Sequence, residues 1–244
     1  MRSDAGGGTS GAGDSAWSRY RALAGRDRRE RLVVRSVLAA GAGVVAAGVA
    51  VWWAGIAVAA AVFAGQVVYG RVRPGAATEW RRGAQAERRT GRRLARLDPA
   101  AFHVLHDRVL PDSRSNLDHL VIGLTGVYAI ASRRWRRGVR LRSEQGRLWA
   151  GGRPAAGVDV AAHAATLVEK LLADELGHAV AVEAVVAVHG ARVPREGLRH
   201  GEVELRSARS LPGGIAGRPV IFTSAQVTTI AAAAERALPP MIPF

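Results

Sequence analysis

Hydrophobic and polar positions fall into three regimes along the chain. The most distinctive is the stretch 36–70, which holds no charged side chain and is bounded by Arg35 and Arg71. A membrane-spanning helix needs about 20 apolar residues at 1.5 Å rise per residue. A run of 35 uncharged positions is too long for one straight span and fits two short ones. The pattern predicts a helical hairpin with spans over residues 32–51 and 54–72, Arg35 and Arg71 snorkelling to the headgroups and Trp52, Trp53 and Gly55 at the tip. Gly41, Gly43, Gly48, Gly55 and Gly65 are small enough to let two such helices pack closely.

On either side the pattern changes. Residues 1–16 are Gly, Ser, Ala and Asp with a single arginine, a composition that cannot bury a core and predicts disorder, followed by a basic lead-in to residue 31. From Glu79 onward the chain alternates between two periodicities. Trp80, Ala84, Ala86, Leu94 and Leu97 form one apolar stripe on a helix over 79–97, with Pro99 just beyond it. Strand-like runs follow at 102–105, 117–124 and 126–130, the last two joined by the turn Thr125-Gly126. Segments 139–142 and 147–149 read as a hairpin through Glu144-Gln145-Gly146. Val160, Ala164, Leu167, Val168, Leu171 and Leu172 predict a helix over 158–176 that Gly177 stops. The run 179–188, broken only by Glu183, fits a central strand. Short strands at 203–205 and 219–222, a turn at Gly213-Gly214-Ile215-Ala216-Gly217 and a closing helix over 224–238 complete the series. The order of elements makes residues 78–240 an α/β domain behind the transmembrane hairpin at 32–72.

Charge narrows the partners. With 35 basic against 20 acidic side chains the net charge is +15, which favours an anionic partner, either nucleic acid or lipid headgroups. Lys170 is the only lysine, and the dominance of Ala, Gly, Val and Arg is what GC-rich coding produces, so the number of arginines carries little weight by itself. The absence of cysteine excludes disulfides, Cys-ligated zinc, iron–sulfur clusters and thiol nucleophiles. Arginines at 19, 21, 26, 28, 29, 31 and 35 precede the hairpin, and arginines at 71, 73, 81 and 82 follow it. By the positive-inside rule both termini are cytoplasmic, which predicts a multi-pass inner-membrane protein with two spans and the lipid bilayer as one partner. The first apolar run begins past residue 30, too late for a cleaved signal peptide.

Candidate chemistry centres on Asp118 in one strand and Glu87 on the preceding helix, carboxylates of the kind that bind Mg²⁺ together with water. The next strand offers no acid: Ala131 and Arg133 occupy the positions where a metal ligand and a lysine would serve. Four segments carry a resemblance to a known family: Trp80-Arg81-Arg82-Gly83-Ala84-Gln85-Ala86-Glu87-Arg88, Val104-Leu105-His106-Asp107-Arg108-Val109-Leu110-Pro111, Asn116-Leu117-Asp118-His119-Leu120-Val121-Ile122-Gly123 and Gly126-Val127-Tyr128-Ala129-Ile130. In order and spacing they resemble the NERD (nuclease-related) domain, a branch of the PD-(D/E)XK nuclease-like fold. The resemblance covers roughly residues 78–150, and the tail looks like the continuation found in actinobacterial membrane-anchored members.

The resemblance implies a central mixed sheet flanked by helices and a site for Mg²⁺-dependent phosphodiester hydrolysis. The family's helix glutamate falls on Glu87 and its metal-binding aspartate on Asp118. Its next acid and lysine fall on Ala131 and Arg133, where this chain departs from the pattern. Alanine cannot ligate a metal, and arginine stays protonated, so it can hold a phosphate but cannot shuttle a proton. Removing one preorganised electrostatic group costs about 10² to 10³ in rate, so two such losses predict a degenerate site. Mg²⁺ is then a cofactor only in so far as activity remains.

Arg133, Arg134, Trp135, Arg136, Arg137 and Arg140, with Arg142, form a basic stretch free of acids until Glu144, suited to a phosphodiester backbone of DNA or RNA with a base stacked on tryptophan. The arginines at 88, 89, 92, 93 and 96 read as a solvated helix face. His106-Asp107 lacks the further ligands of a metal-dependent hydrolase, and His119 alternates to the sheet face opposite Asp118. No Gly-x-Ser-x-Gly elbow supports a serine hydrolase. The resulting expectation is a membrane-anchored, nuclease-related module that binds nucleic acid without cutting it. Its alternatives are a weak Mg²⁺-dependent nuclease in which Asp107 replaces the lost ligand, and a membrane-associated scaffold.

Overall fold

The computed structural model describes residue 12 and residues 14–49, 52–72, 76–111 and 116–241. They divide into two compact units, Ala16–Arg82 and Gly83–Phe244 together with the first fifteen positions.

The first unit contains α1 (Asp14–Val49) and α2 (Trp52–Val72). By length and composition one described helix could cross a membrane, over Trp52–Tyr69, and only 6% of that window is buried; Leu32–Gly48 is a shorter apolar stretch. The expectation of two full spans is therefore reduced to one candidate span. Polar and charged residues before Leu32 continue in the same helix, so α1 begins at Asp14, inside the segment expected to be disordered. Residues 1–11 of that segment lie outside the described residues, as do positions 50 and 51 between the helices. Trp52, Trp53 and Gly55 belong to the first turn of α2. Two of the five glycines bring the helices together: a Cβ on Gly55 would lie 2.6 Å from Gly43 O and 2.8 Å from Ala47 Cβ, and one on Gly43 would lie 3.0 Å from Gly55 O. Gly41, Gly48 and Gly65 face open space.

The second unit is a mixed α/β domain. Its sheet comprises β1 (Phe102–Val109), β2 (Asn116–Gly123), β3 (Gly126–Arg134), β7 (Val182–His189), β8 (Leu198–His200) and β9 (Val203–Ser207), in the order β1-β2-β3-β7-β9-β8. The first three pair antiparallel, β3-β7-β9 run parallel, and β8 returns antiparallel. Alternation sends Leu120, Ile122, Ala129 and Val186 to one face and Val121, Tyr128, Ile130 and Val185 to the other. On the first face lie α4 (Asp159–Leu176), closed by Gly177 in a left-handed conformation, and α6 (Ser224–Ala237), opened by a Thr223/Gln226 capping box. On the second lie α3 (Ala76–Leu94) and α5 (Leu211–Ala216). This is the mixed sheet flanked by helices that the resemblance implied.

A small second sheet, β4 (Leu141–Glu144), β5 (Arg147–Ala150) and β6 (Arg153–Pro154), extends the expected hairpin by one strand. Backbone bonds tie it to the segment after β7: Leu141 N–H to Arg192 O at 3.0 Å and Arg192 N–H to Val139 O at 2.7 Å. The Ser143 hydroxyl lies 2.9 Å from His200 Nδ1. Two short elements differ from expectation. The glycine-rich segment near 213 is helical because Pro212 starts α5 and Leu211 and Ile215 are buried. Residues 219–222 form no strand; the Ile221 and Phe222 amides both reach Leu124 O.

Candidate functional site

The site expected at Asp118 lies where the β2–β3 ladder ends. Pairing runs from Gly123↔Gly126 to His119↔Ile130, while β3 continues beside β7 as far as Arg134. Past Ile130 the Ser132 N–H donates to Asp118 Oδ2 at 2.7 Å, so a carboxylate oxygen replaces a ladder carbonyl. Asp118 is on the face of α4 and α6, and continuing the register sets it opposite Ala131, which packs against that core. Burial pushes the Asp118 pKa up to about 6 and the Asp107 carboxylate adds to the rise, while the Ser132 amide and the Arg133 guanidinium pull it down. Asp107 is itself buried, holds a positive φ of 49° within β1, and accepts from Asn116 Nδ2 at 2.7 Å.

The opposite face carries a buried polar network. His119 is fully buried, with its Nδ1 2.9 Å from His106 Nδ1, the two rings edge to face. The Ser132 hydroxyl donates to Thr90 Oγ1 at 2.8 Å and lies 3.4 Å from His119 Nε2, and Thr90 Oγ1 is 2.8 Å from His189 Nε2. Burial first, then His106, keep the His119 pKa well below the ordinary imidazole value. His189 is brought down to about 4 by burial and by Arg93, Arg89 and Arg134. Glu87 stands on α3, over this second face, where its backbone accepts a hydrogen bond from His119. The Asp107 carboxylate lies near enough to Asp118 to raise its pKa, and the Glu87 backbone stands beside His119. Among the described residues, no group of three or more His, Cys, Asp or Glu side chains is arranged to hold a metal ion. With Ala131 apolar and Arg133 cationic beside a carboxylate already bonded to an amide, the residues do not fit Mg²⁺.

Residues 82–189 match the family described as the nuclease-related domain, NERD. The chain carries a NERD domain. No curated protein and no solved structure matches it. The matched span begins inside α3 and ends on His189, the last residue of β7, so it holds both faces of the altered centre and the small sheet.

Within the NERD domain the basic stretch does not form one surface. Strand alternation sends Arg133 to the Asp118 face and Arg134 toward His189. Trp135 is half-buried against the larger core, with its backbone N–H on His189 O at 2.9 Å. Arg136, Arg137, Arg140 and Arg142 are exposed. The last two line an open groove of about 480 Å³ with Glu144, Trp149, Gly151 and Gly152. Trp149 was read from the sequence only as a strand residue. Its signal lies in the register: Leu148 points inward, so Trp149 points outward, directly opposite Arg142.

The raised pKa of Asp118 has a thermodynamic consequence. An acid whose folded pKa exceeds its unfolded value binds protons more tightly in the fold, so its ionisation weakens the fold as pH rises from about 4 through 6. Asp118→Asn retains an acceptor for the Ser132 amide and removes the charge. Its expected effect at pH 7.5 is stabilisation on the order of 1–2 kcal/mol, read as a higher melting temperature, with the gain vanishing near pH 4. A lower melting temperature at pH 7.5 would mean that the charge itself supports the fold.

Proposed function

We propose that this chain is a membrane-anchored, nuclease-related protein whose NERD domain holds nucleic acid without cleaving it. The observation that carries the loss of catalysis is the use of Asp118 as acceptor for the Ser132 amide opposite an alanine. The helix, the antiparallel strands and the parallel crossover to β7 support a PD-(D/E)XK-like relationship. Anchoring rests on the exposed apolar surface of Trp52–Tyr69, on the Gly43–Gly55 approach and on the flanking arginines. These support an inner-membrane hairpin of two spans with both termini cytoplasmic. Arg136, Arg137, Arg140 and Arg142 supply phosphate contacts, and Trp149 in the groove supplies the stacking surface first sought at Trp135.

The test uses the full chain in nanodiscs with plasmid and single-stranded DNA and RNA, in Mg²⁺ or Mn²⁺, beside the double variant Ala131→Asp, Arg133→Lys. The unmodified protein is expected to bind without cutting. The double variant regains metal-dependent cutting, and Asp118→Ala abolishes it. Cutting by the unmodified protein that is lost in Asp107→Asn would overturn this reading in favour of a site rebuilt around Asp107 and Asp118. Binding that vanishes at moderate salt, with no dependence on Arg140, Arg142 or Trp149, would leave only charge-driven association of a scaffold.

A further inference from the structure

Arginines gather at a second place, on the sheet face away from Asp118. The carboxyl ends of the three parallel strands meet there. Arg134 and His189 face each other across the β3–β7 ladder, and the Ala208 N–H bonds Val188 O at 3.0 Å, which sets Arg209 two residues past β9, near the end of β7. Above them, Thr90 of α3 lies 2.8 Å from His189 Nε2. Arg93 lies one turn beyond Thr90, and Arg89 is its i−4 neighbour, so the two arginines share a helix face that flanks Thr90. GC-rich coding accounts for many arginines, but a random scatter would not bring helix and strand arginines to one imidazole and a loop arginine to one of them.

Among the described residues, Arg89, Arg92, Arg93, Arg96 and Arg209 have no carboxylate within ion-pairing distance. They instead crowd one another: burial lowers the Arg93 pKa, and Arg209, Arg96, Arg89 and Arg92 lower it further. Such mutual repulsion weakens the unliganded fold and is relieved by a multiply charged anion. Guanidinium forks match phosphoryl oxygens in both charge and geometry, and ligands of open α/β sheets bind at the carboxyl ends of their strands.

We propose that Arg89, Arg93, Arg134 and Arg209 form an anion site over His189 for a ligand bearing adjacent phosphoryl groups. It is separate from the groove at Trp149 and does not depend on nucleic-acid binding there. The same chemistry is offered by a soluble oligophosphate or by anionic lipid headgroups.

The experiment follows thermal unfolding of the full chain in nanodiscs of zwitterionic lipid. Tripolyphosphate is titrated against sodium chloride of matched ionic strength. A second arm uses discs doped with phosphatidylglycerol and no added phosphate. The wild-type melting temperature is expected to rise with tripolyphosphate and not with chloride. Arg93→Gln and Arg209→Gln are expected to melt above wild type without ligand, because the crowding is relieved. Both should need at least tenfold more tripolyphosphate for the same rise. Arg195→Gln, exposed and outside both the cluster and the groove, should keep the wild-type response. A rise in the doped discs that the same two variants abolish assigns the headgroup as a source. A rise reproduced by chloride, or undiminished in both variants, would overturn the proposal. So would its loss in Arg195→Gln alone.

Discussion

Between pH 6.5 and 4 the α/β domain is expected to lose stability steeply, because three imidazoles are held in it as neutral bases. Burial is the first cause at His106, His119 and His189, and each pKa lies below the ordinary value of 6.5. In that window the unfolded chain binds more protons than the folded one, so the stabilisation present above pH 6.5 is lost as pH falls towards the folded pKa. For His189, brought down to about 4, the loss amounts to about 3 kcal/mol at one pKa unit per 1.36 kcal/mol. Asp118 has the opposite sign and gains on acidification between about 6 and 4, which offsets part of the His189 contribution. The other two imidazoles leave the balance negative. Denaturant unfolding at steps from pH 7.5 to 4.5 should show a falling midpoint. In His189→Asn, which can still donate to Thr90, the slope should flatten. A midpoint independent of pH would mean that the imidazoles are solvated.

Glu204→Ala is expected to cost about 3–5 kcal/mol, the range for stripping one partner from a buried ion pair. Glu204 is buried on β9, where its carboxylate accepts from Arg206 Nε and from Arg218. Arg218 also donates to Glu183 on β7 and lies over the Tyr128 ring, 5.0 Å from its centroid. Tyr128 in turn donates to Thr125 O at 2.7 Å in the turn that joins β2 to β3. One carboxylate therefore stands between two guanidiniums on β9 and the segment after α5, and removing it leaves Arg206, mostly buried, without a carboxylate and Arg218 with Glu183 alone. Glu204→Gln keeps an acceptor and should cost less. Equilibrium denaturation of the two variants checks the order. A loss below about 1 kcal/mol for Glu204→Ala would place these pairs with ordinary surface salt bridges.

Elements with long, consistent periodicity were legible in the sequence. The stripe on α4 with its stop at Gly177, and the apolar run of β7, are local patterns that tertiary packing reinforces. The centre was legible in part: the gap at Ala131 and Arg133 is a matter of residue type, and strand alternation predicted that His119 and Asp118 face opposite ways. The same alternation splits Arg133 from Arg134, a consequence of β3 running on to Arg134 instead of ending near Ile130. That extension follows from pairing with β7, a partner some 50 residues away whose influence no local window contains. The positive φ of Asp107 and its approach to Asp118 also depend on tertiary geometry. Likewise β8 and α5 are short elements whose places depend on β9 and the core, not on their own propensity.

The backbone bonds between the small sheet and the segment after β7 have a mechanical meaning. Strand β4 is clamped by Arg192 on one side and by β5 on the other, and Trp135 and Gly138 are held to His189 and Gly190. The arm carrying Arg140, Arg142 and Trp149 is therefore a stiff bracket and not a flexible finger. If nucleic acid is held there as proposed, tension on it would load the end of β7 directly, and torque on the bracket would be resisted by the parallel half of the sheet.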